Sequence, residues 1–290
     1  MISTNKWLIG ARLRTLPAAV VPVLVGTATA WGEDSIIFSR FFLALIVALS
    51  IQIATNYVND YADGQRGTDD NRTGPKRLVS SGLANSKQVK LAAGFCFIIT
   101  AFAGLLLSID VGYELIPVGA LSILAGWAYT AGSKPYGYLG LGELFVFIFF
   151  GLVATIGSYY IQTKTVSGLS FVVACVVGFL AVCLMVTNNL RDIPEDLQAN
   201  KLTLAVRLGD LKTRYLYLIC VLGVVLGICL AGLIRGYAII GLLATPFLIP
   251  PTLAIIKKRL SGSDLIPVLG LTARAQIAIG IVLSVGLGYH

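Results

Sequence analysis

The sequence predicts an all-α protein: a polytopic membrane helical bundle of about nine transmembrane helices, with two pseudo-repeated four-helix halves around a central cavity. Three observations carry that expectation. Hydrophobic residues make up 57% of the 290 and charged residues 12%, about half the ~25% usual in soluble domains. Apolar runs of about 20 residues, the length that crosses a bilayer as a helix, recur from end to end. Positive charge is divided unevenly among the loops between those runs. No stretch of soluble composition is long enough for a second domain, so residues 1–290 read as a single transmembrane domain.

In chain order the runs fall at roughly 16–32, 38–58, 89–108, 114–131, 141–161, 168–187, 213–234, 237–255 and 272–289. Runs such as Phe145–Ile156 are apolar on every side, which suits helices. The short alternating strands of a β-barrel, which also satisfy their backbones in lipid, do not read this way. Arg12 and Arg14 precede the first run, but Pro17 and Pro22 interrupt it and no small-residue cleavage site follows. The N-terminus therefore does not read as a cleaved signal.

With the N-terminus in the cytoplasm and alternating spans, 19 of the 22 Lys and Arg residues fall on the cytoplasmic side, leaving Arg40, Lys164 and Arg235 outside. That split follows the positive-inside rule. It implies a multi-pass protein of the cell membrane. The net charge of +8 flanks spans instead of forming one basic face, so a lipid bilayer and not nucleic acid is the expected partner. The five cysteines all lie inside spans and the single histidine is the terminal His290. Zinc spacing is absent and a disulfide framework implausible; small apolar fillers is the plain reading of the cysteines.

Two loops differ from the rest. Residues 56–88 and 188–212 hold eight of the fourteen acidic residues, and each opens with an Asn- and Asp-rich segment at the cytoplasmic end of a span. Four spans separate them, as expected of a parallel repeat with a substrate site between the halves and a ninth span added. The first segment is Asn56-Tyr-Val-Asn59-Asp60-Tyr-Ala-Asp63-Gly-Gln-Arg-Gly-Thr-Asp69-Asp70. On a helix, Asn56, Asp60 and Asp63 lie within about 60° of one another. The second is Asn188-Asn189-Leu-Arg191-Asp192-Ile-Pro194-Glu195-Asp196, where Asn188, Asp192 and Asp196 repeat at intervals of four.

Carboxylates so crowded at a membrane boundary repel one another, and a hard divalent cation relieves that. Magnesium takes one or two carboxylates together with waters and substrate phosphates, so two facing clusters suit a bridged diphosphate. The plainer alternative is solvated loop acids capping helix ends, which fits one cluster better than two at matching places. Basic residues follow each cluster: Arg66, Arg72, Lys76 and Arg77, then Lys201 and Arg207. Arg binds phosphate bidentately and Lys as a point charge; ordinary positive-inside loop charge is the competing reading for each.

These segments, with Lys201-Leu-Thr-Leu-Ala-Val-Arg-Leu-Gly209 after the second, resemble the UbiA superfamily of intramembrane prenyltransferases over essentially the whole chain. Three further stretches resemble its menaquinone-pathway members, which prenylate 1,4-dihydroxy-2-naphthoate: Ala11-Arg-Leu-Arg-Thr-Leu-Pro17, Lys134-Pro-Tyr-Gly-Tyr-Leu-Gly-Leu-Gly-Glu143 and Leu265-Ile-Pro-Val-Leu-Gly-Leu-Thr-Ala-Arg274. The resemblance implies transfer of a polyprenyl chain from its diphosphate to an aromatic carbon, with Mg2+ as cofactor. On it, Asp60, Asp63, Asp69, Asp192 and Asp196 would hold metal, and Asp60, Asp63, Asp192 and Asp196 would carry catalysis. Asn56, Asn188, Arg72, Lys76, Lys201 and Arg207 would hold the diphosphate. Arg12 or Arg14, with Tyr136 and Tyr138, would meet the acceptor; charge anchoring and an aromatic belt are the alternatives. Pro194 departs from the family pattern and weakens the shared-face argument for Asp196.

Ionising an allylic diphosphate needs its leaving group neutralised and no Ser–His–Asp or Cys–His set. Apolar spans would keep the tail and cation dry, with Phe145, Phe147, Phe149 and Phe150 as aromatic contacts or plain packing. Other UbiA-type acceptors (hydroxybenzoate, homogentisate, haem, chlorophyllide or a glycerol phosphate lipid) stay open. So do the oligomeric state and the role of Gly223-x-x-x-Gly227, a helix-packing pattern. A divalent-cation transporter is the rival of a different class. Its acids belong near the bilayer midplane, whereas these sit at span ends.

Overall fold

The computed structural model describes residues 5–68 and 74–289, and among these every regular element is helical. A short α1 (Lys6–Ala11) is capped by the Asn5 side chain. It leads through Arg12, in the left-handed region at φ 53°, into α2 (Pro17–Trp31). There follow α3 (Phe38–Arg66), α4 (Ser86–Asp110) and the short α5 (Leu115–Ala128). A single 3-10 turn, Tyr136–Leu139, links the halves. The second half holds α6 (Gly142–Thr163), α7 (Gly168–Arg191), the short α8 (Ile193–Gln198), α9 (Leu204–Ile234), α10 (Gly236–Lys257) and α11 (Leu265–Gly288).

Local chemistry explains many of the boundaries. Asn85 and Gln88 form a capping box at α4, and Ser167 and Ser170 form one at α7, each satisfying orphan N–H groups of the first turn. α3 stops at Gly67, whose φ of 70° is the left-handed closure glycine adopts without penalty. α9 breaks at Gly209 (φ 74°, ψ 171°), so its first five residues form a separate turn beside the acidic loops. α10 begins as a 3-10 helix over Gly236–Leu248 and ends π-helical; Pro246, Pro250 and Pro251 remove donors from its ladder.

Seven of these helices are long and apolar enough to cross a membrane, and α1 with α2, bent by 51°, makes an eighth. The fourth expected span is α5, fourteen residues and thus about 21 Å long, short of the ~30 Å hydrocarbon thickness. The multi-pass helical architecture stands. The second span runs eight residues beyond its expected end, to Arg66, so Asn56, Asp60 and Asp63 share one continuous helix.

Neighbour packing repeats between the halves: α3 lies on α4 and α4 on α5, as α7 lies on α9 and α9 on α10. The main core joins Val21 and Val25 of α2, Val173, Val177 and Leu180 of α7, Val224 and Ile228 of α9, and Ile279 and Leu283 of α11. Gly223 and Gly227 face Phe179 and Val176 of α7, so the small-residue pattern serves packing inside this chain. α6 and α7 meet at Gly151 and Gly178, where a Cβ on Gly151 would lie 2.5 Å from the Gly178 Cα; the π-helical turn of α6, Phe147–Val153, spans this approach.

The basic residues expected outside have structural tasks at the end opposite the acidic loops. Arg235 pairs with Glu33 at 3.1 Å and donates to the Thr29 and Leu287 carbonyls. Arg40 pairs with Asp110 at 2.7 Å and donates to the Ile161 carbonyl. Lys164 closes α6 in the left-handed region.

Candidate active site

Both acidic motifs lie at the same end of the bundle, and one side chain joins them. The Lys201 ammonium lies 3.7 Å from Asp63 Oδ2 and 3.4 Å from Asp196 Oδ1. Its backbone N–H donates to the Asp196 carbonyl at 2.8 Å, which anchors the stem. Burial disfavours charge on Lys201, but the Asp63 and Asp196 carboxylates outweigh it and hold the ammonium well above the ordinary lysine range.

Asp60 is 1% exposed and tightly held. Arg12 Nη2 and Arg77 Nη1 both donate to Oδ1, the second at 2.9 Å, and the Leu78 N–H donates to Oδ2 at 3.1 Å. Arg12 also donates to the Asn56 carbonyl at 3.2 Å, while its buried Nε has no partner. Asn56 ties α3 to the N-terminal segment by donating to the Ala11 carbonyl and to Thr15 Oγ1. In the second motif Arg191 grips Asp192 bidentately at 2.6 and 2.8 Å and donates to Asn188 Oδ1. Asp196 accepts from Thr203 at 3.4 Å.

Tyr136 and Tyr138, two residues apart on a 3-10 turn, point about 120° apart and serve different surroundings. Tyr138 donates to Asp63 Oδ1 at 2.9 Å and carries the Arg66 and Lys201 cations near its ring, at 5.1 and 5.4 Å. Burial, with the Asp63 charge second, pushes its phenol up. Tyr136 instead stacks on Phe145 with ring centroids 4.0 Å apart, and Phe145 on Phe149 at 5.9 Å.

That aromatic ladder forms one wall of a cavity of about 570 Å³. Arg12, Thr15, Gln52, Asn56, Asn59, Tyr129, Tyr136 and Asn188 line its polar end; Val23, Ala44, Leu107 and Ile161 line it farther in, and Phe150 and α5 (Gly119, Ser122, Gly126) contribute to its wall. The depth from Asn59 to Ala44 is about 22 Å along α3. Phe147 turns away from the ladder, against Phe179.

Several expected site residues lie elsewhere. Arg14 and Lys76 are exposed, and Arg207 is exposed and donates to the Leu202 carbonyl; the structure does not bring these three to the acids. Asp69 and Arg72 lie outside the described residues. Tyr138 serves Asp63, not the cavity wall where the acceptor was expected. Arg77, the next residue, is buried and pairs with Asp60, whereas Lys76 is exposed. Sequence reasoning passed over Arg191, Tyr129 and the Glu143–Asn189 bond of 2.9 Å, which clamps α6 to α7. The isolated Glu143 within an apolar stretch was the available signal.

Among the described residues no three His, Cys, Asp or Glu side chains converge as a cation cage. Asp60, Asp63, Asp192 and Asp196 are each drawn to a basic side chain. A cation-sized positive charge nonetheless already sits between the two motifs, as Lys201. Hard carboxylate oxygens from two helices, brought together at Lys201, suit Mg2+, which needs only one or two of them alongside substrate phosphates.

An apolar cavity with Arg12, Asn56, Asn59 and Asn188 at one end, set within helices long and apolar enough to cross a membrane, defines a class of membrane protein built around an amphiphilic cavity. Residues 19–265 match the UbiA prenyltransferase family, and the chain belongs to that family; it is a membrane prenyltransferase. It is 44% identical over 291 residues to a 1,4-dihydroxy-2-naphthoate octaprenyltransferase of Mycobacterium tuberculosis, covering 100% of this chain and 99% of that one. The protein of that name from Escherichia coli is 38% identical over 218 residues, 73% of this chain and 71% of its own. The fold is shared with a UbiA homolog of Archaeoglobus fulgidus bound to GPP and Mg2+ (TM-score 0.65, 16% identity, 97% of this chain and 100% of that one). It is shared also with an apo UbiA homolog of Aeropyrum pernix (TM-score 0.73, 15% identity, 92% and 97%).

Proposed function

We propose that this protein transfers a polyprenyl chain from its diphosphate to 1,4-dihydroxy-2-naphthoate, with loss of CO2, to give demethylmenaquinone in menaquinone biosynthesis. The observation that carries the reading is the convergence of Asp63 and Asp196 on Lys201, while Asn56, Asn59 and Asn188 of the same two motifs line the polar end of the cavity. The full-length similarity to a named dihydroxynaphthoate octaprenyltransferase supports the choice of acceptor. The acidic loops face the cytoplasm in this reading, and residues 1–290 act as one transmembrane domain.

Asp60, Asp63, Asp192 and Asp196 would hold Mg2+, which supplies Lewis-acid neutralisation of the departing diphosphate. Lys201 donates to the diphosphate as a mobile point charge, and Asn56 and Asn188, which line the polar end of the cavity, offer amide contacts to it. The apolar walls receive the prenyl tail and exclude water from the allylic cation. The Tyr136–Phe145–Phe149 ladder presents π faces to it. Arg12, which lines the polar end of the cavity, takes the acceptor's carboxylate. The new C–C bond forms at the carboxylated ring carbon as the allylic C–O bond breaks. The carboxyl group then leaves as CO2, and the electron pair of its C–C bond restores the aromatic ring.

The test uses carboxyl-labelled dihydroxynaphthoate and a polyprenyl diphosphate with purified protein in liposomes. About one labelled CO2 should appear per diphosphate released, and chelation of Mg2+ should abolish both. Label retained in the product, or faster turnover of hydroxybenzoate, rejects the acceptor; turnover in excess chelator rejects the metal assignment. Cation flux across sealed liposomes without prenyl transfer would favour a transporter.

A further inference from the structure

Lys201 is the described basic side chain that touches both acidic motifs, and its placement has a consequence for how the site is charged. Asp63 belongs to α3 of the first half and Asp196 to α8 of the second, and the ammonium lies within 3.7 Å of an oxygen of each. Two buried carboxylates from different halves repel one another across a low-dielectric gap unless a cation stands between them. The surroundings hold that cation in place without saturating it. The Tyr138 ring lies 5.4 Å away. The backbone N–H is fixed to the Asp196 carbonyl, and Asn200 before it takes a left-handed turn at φ 53°. The four-carbon stem is flexible, unlike the Arg191 fork, which grips Asp192 at 2.6 and 2.8 Å.

We infer that Lys201 is an internal counter-ion that joins the two acidic motifs in the metal-free protein and competes with the divalent cation for the Asp63 and Asp196 oxygens. A divalent cation held by Asp63 and Asp196 would displace the ammonium from their oxygens, and the flexible lysine stem would then be free to meet the diphosphate. The two halves are held in register before substrate binds, and metal binds weakly until an anionic partner accepts the displaced lysine. The inference rests on the proposed function for the identity of the cation and the anion, but its sign does not depend on the acceptor.

The experiment is a Mn2+ titration of the full-length protein in detergent without any diphosphate, with thermal unfolding in chelator alongside. Lys201→Met, purified in Mn2+, should bind Mn2+ about tenfold more tightly than wild type or better, and should unfold at a lower temperature in chelator. Lys201→Arg, whose fork grips both carboxylates, should bind Mn2+ more weakly than wild type and keeps the test decisive if the methionine variant does not fold. A lysine that only contacts diphosphate, or only packs, would not produce that order in the absence of diphosphate. Unchanged Mn2+ affinity in the variants, or the reverse order, with metal-dependent turnover of the wild type intact, overturns the inference alone. Absence of Mn2+ binding in wild type together with metal-independent turnover overturns the metal assignment and this inference with it.

Discussion

Replacing Asp60 by Asn separates the structural burden of the acidic motifs from their chemistry. The Asp60 side chain is 1% exposed and faces two guanidinium groups whose side chains are 18% (Arg12) and 9% (Arg77) exposed. It also accepts the Leu78 N–H. An Asn at this position keeps the volume but loses the charge, and its amide must turn a donor toward another donor. Removing one partner of a buried ion pair costs about 3–5 kcal/mol. Asp63→Asn is milder, about 1–2 kcal/mol, because an amide oxygen still accepts from Tyr138 and Lys201 keeps Asp196 at 3.4 Å. At about 2–4 °C per kcal/mol, Asp60→Asn should melt roughly 5–10 °C below Asp63→Asn when purified protein is unfolded in one detergent. Both should lose turnover by orders of magnitude at a temperature where both are folded. Adding Arg77→Leu to Asp60→Asn should recover part of the lost stability, since removing both partners leaves fewer unpaired charges. Equal melting temperatures, or a lower one for Asp63→Asn, would refute the reasoning.

Three further expectations follow from the structure. In a cysteine-free background, cysteines at the exposed positions Lys76 and Lys212 should label only from the cytoplasmic side and one at Lys164 only from outside; equal labelling of Lys76 and Lys164 from one side would overturn the topology. Gly151→Ala should destabilise by about 1–3 kcal/mol, because its Cβ would meet the Gly178 backbone at 2.5 Å. A melting temperature equal to wild type would mean that α6 and α7 can separate freely. The Lys201 pKa is raised in the folded state by Asp63 and Asp196, so its stabilisation is complete below the ordinary lysine value of about 10.4. That contribution is lost only as pH rises through the higher folded value. The difference in melting temperature between wild type and Lys201→Met should therefore stay constant from about pH 7 to pH 9.5, and a difference that shrinks over that interval would show that the lysine is not held by those carboxylates.

The chain's own order of residues determined the helices, their membrane class and the position of the chemistry along them. Bilayer-length apolar runs and a one-sided distribution of Lys and Arg are local quantities, and each reports burial or topology without any knowledge of neighbours. The same holds for the capping residues Asn85 and Ser167, the closure at Gly67, and the i, i+4, i+7 spacing of Asn56, Asp60 and Asp63 on α3. What only the tertiary structure decided is which charges meet. Arg12 and Arg14 stand two residues apart with the same chemistry, yet the left-handed turn at Arg12 sends one to Asp60 and leaves the other exposed. Lys76 and Arg77 divide in the same way. Tyr136 and Tyr138 divide around one 3-10 turn, the first to the cavity and the second to Asp63. Periodicity settles the face of a long helix, but α1 and the linking turn are too short for a pattern to show which side is buried. In those segments packing contacts from residues tens of positions away choose the direction of each side chain, and Lys201, joining Asp63 to Asp196 across the two halves, is legible only once both halves are in place.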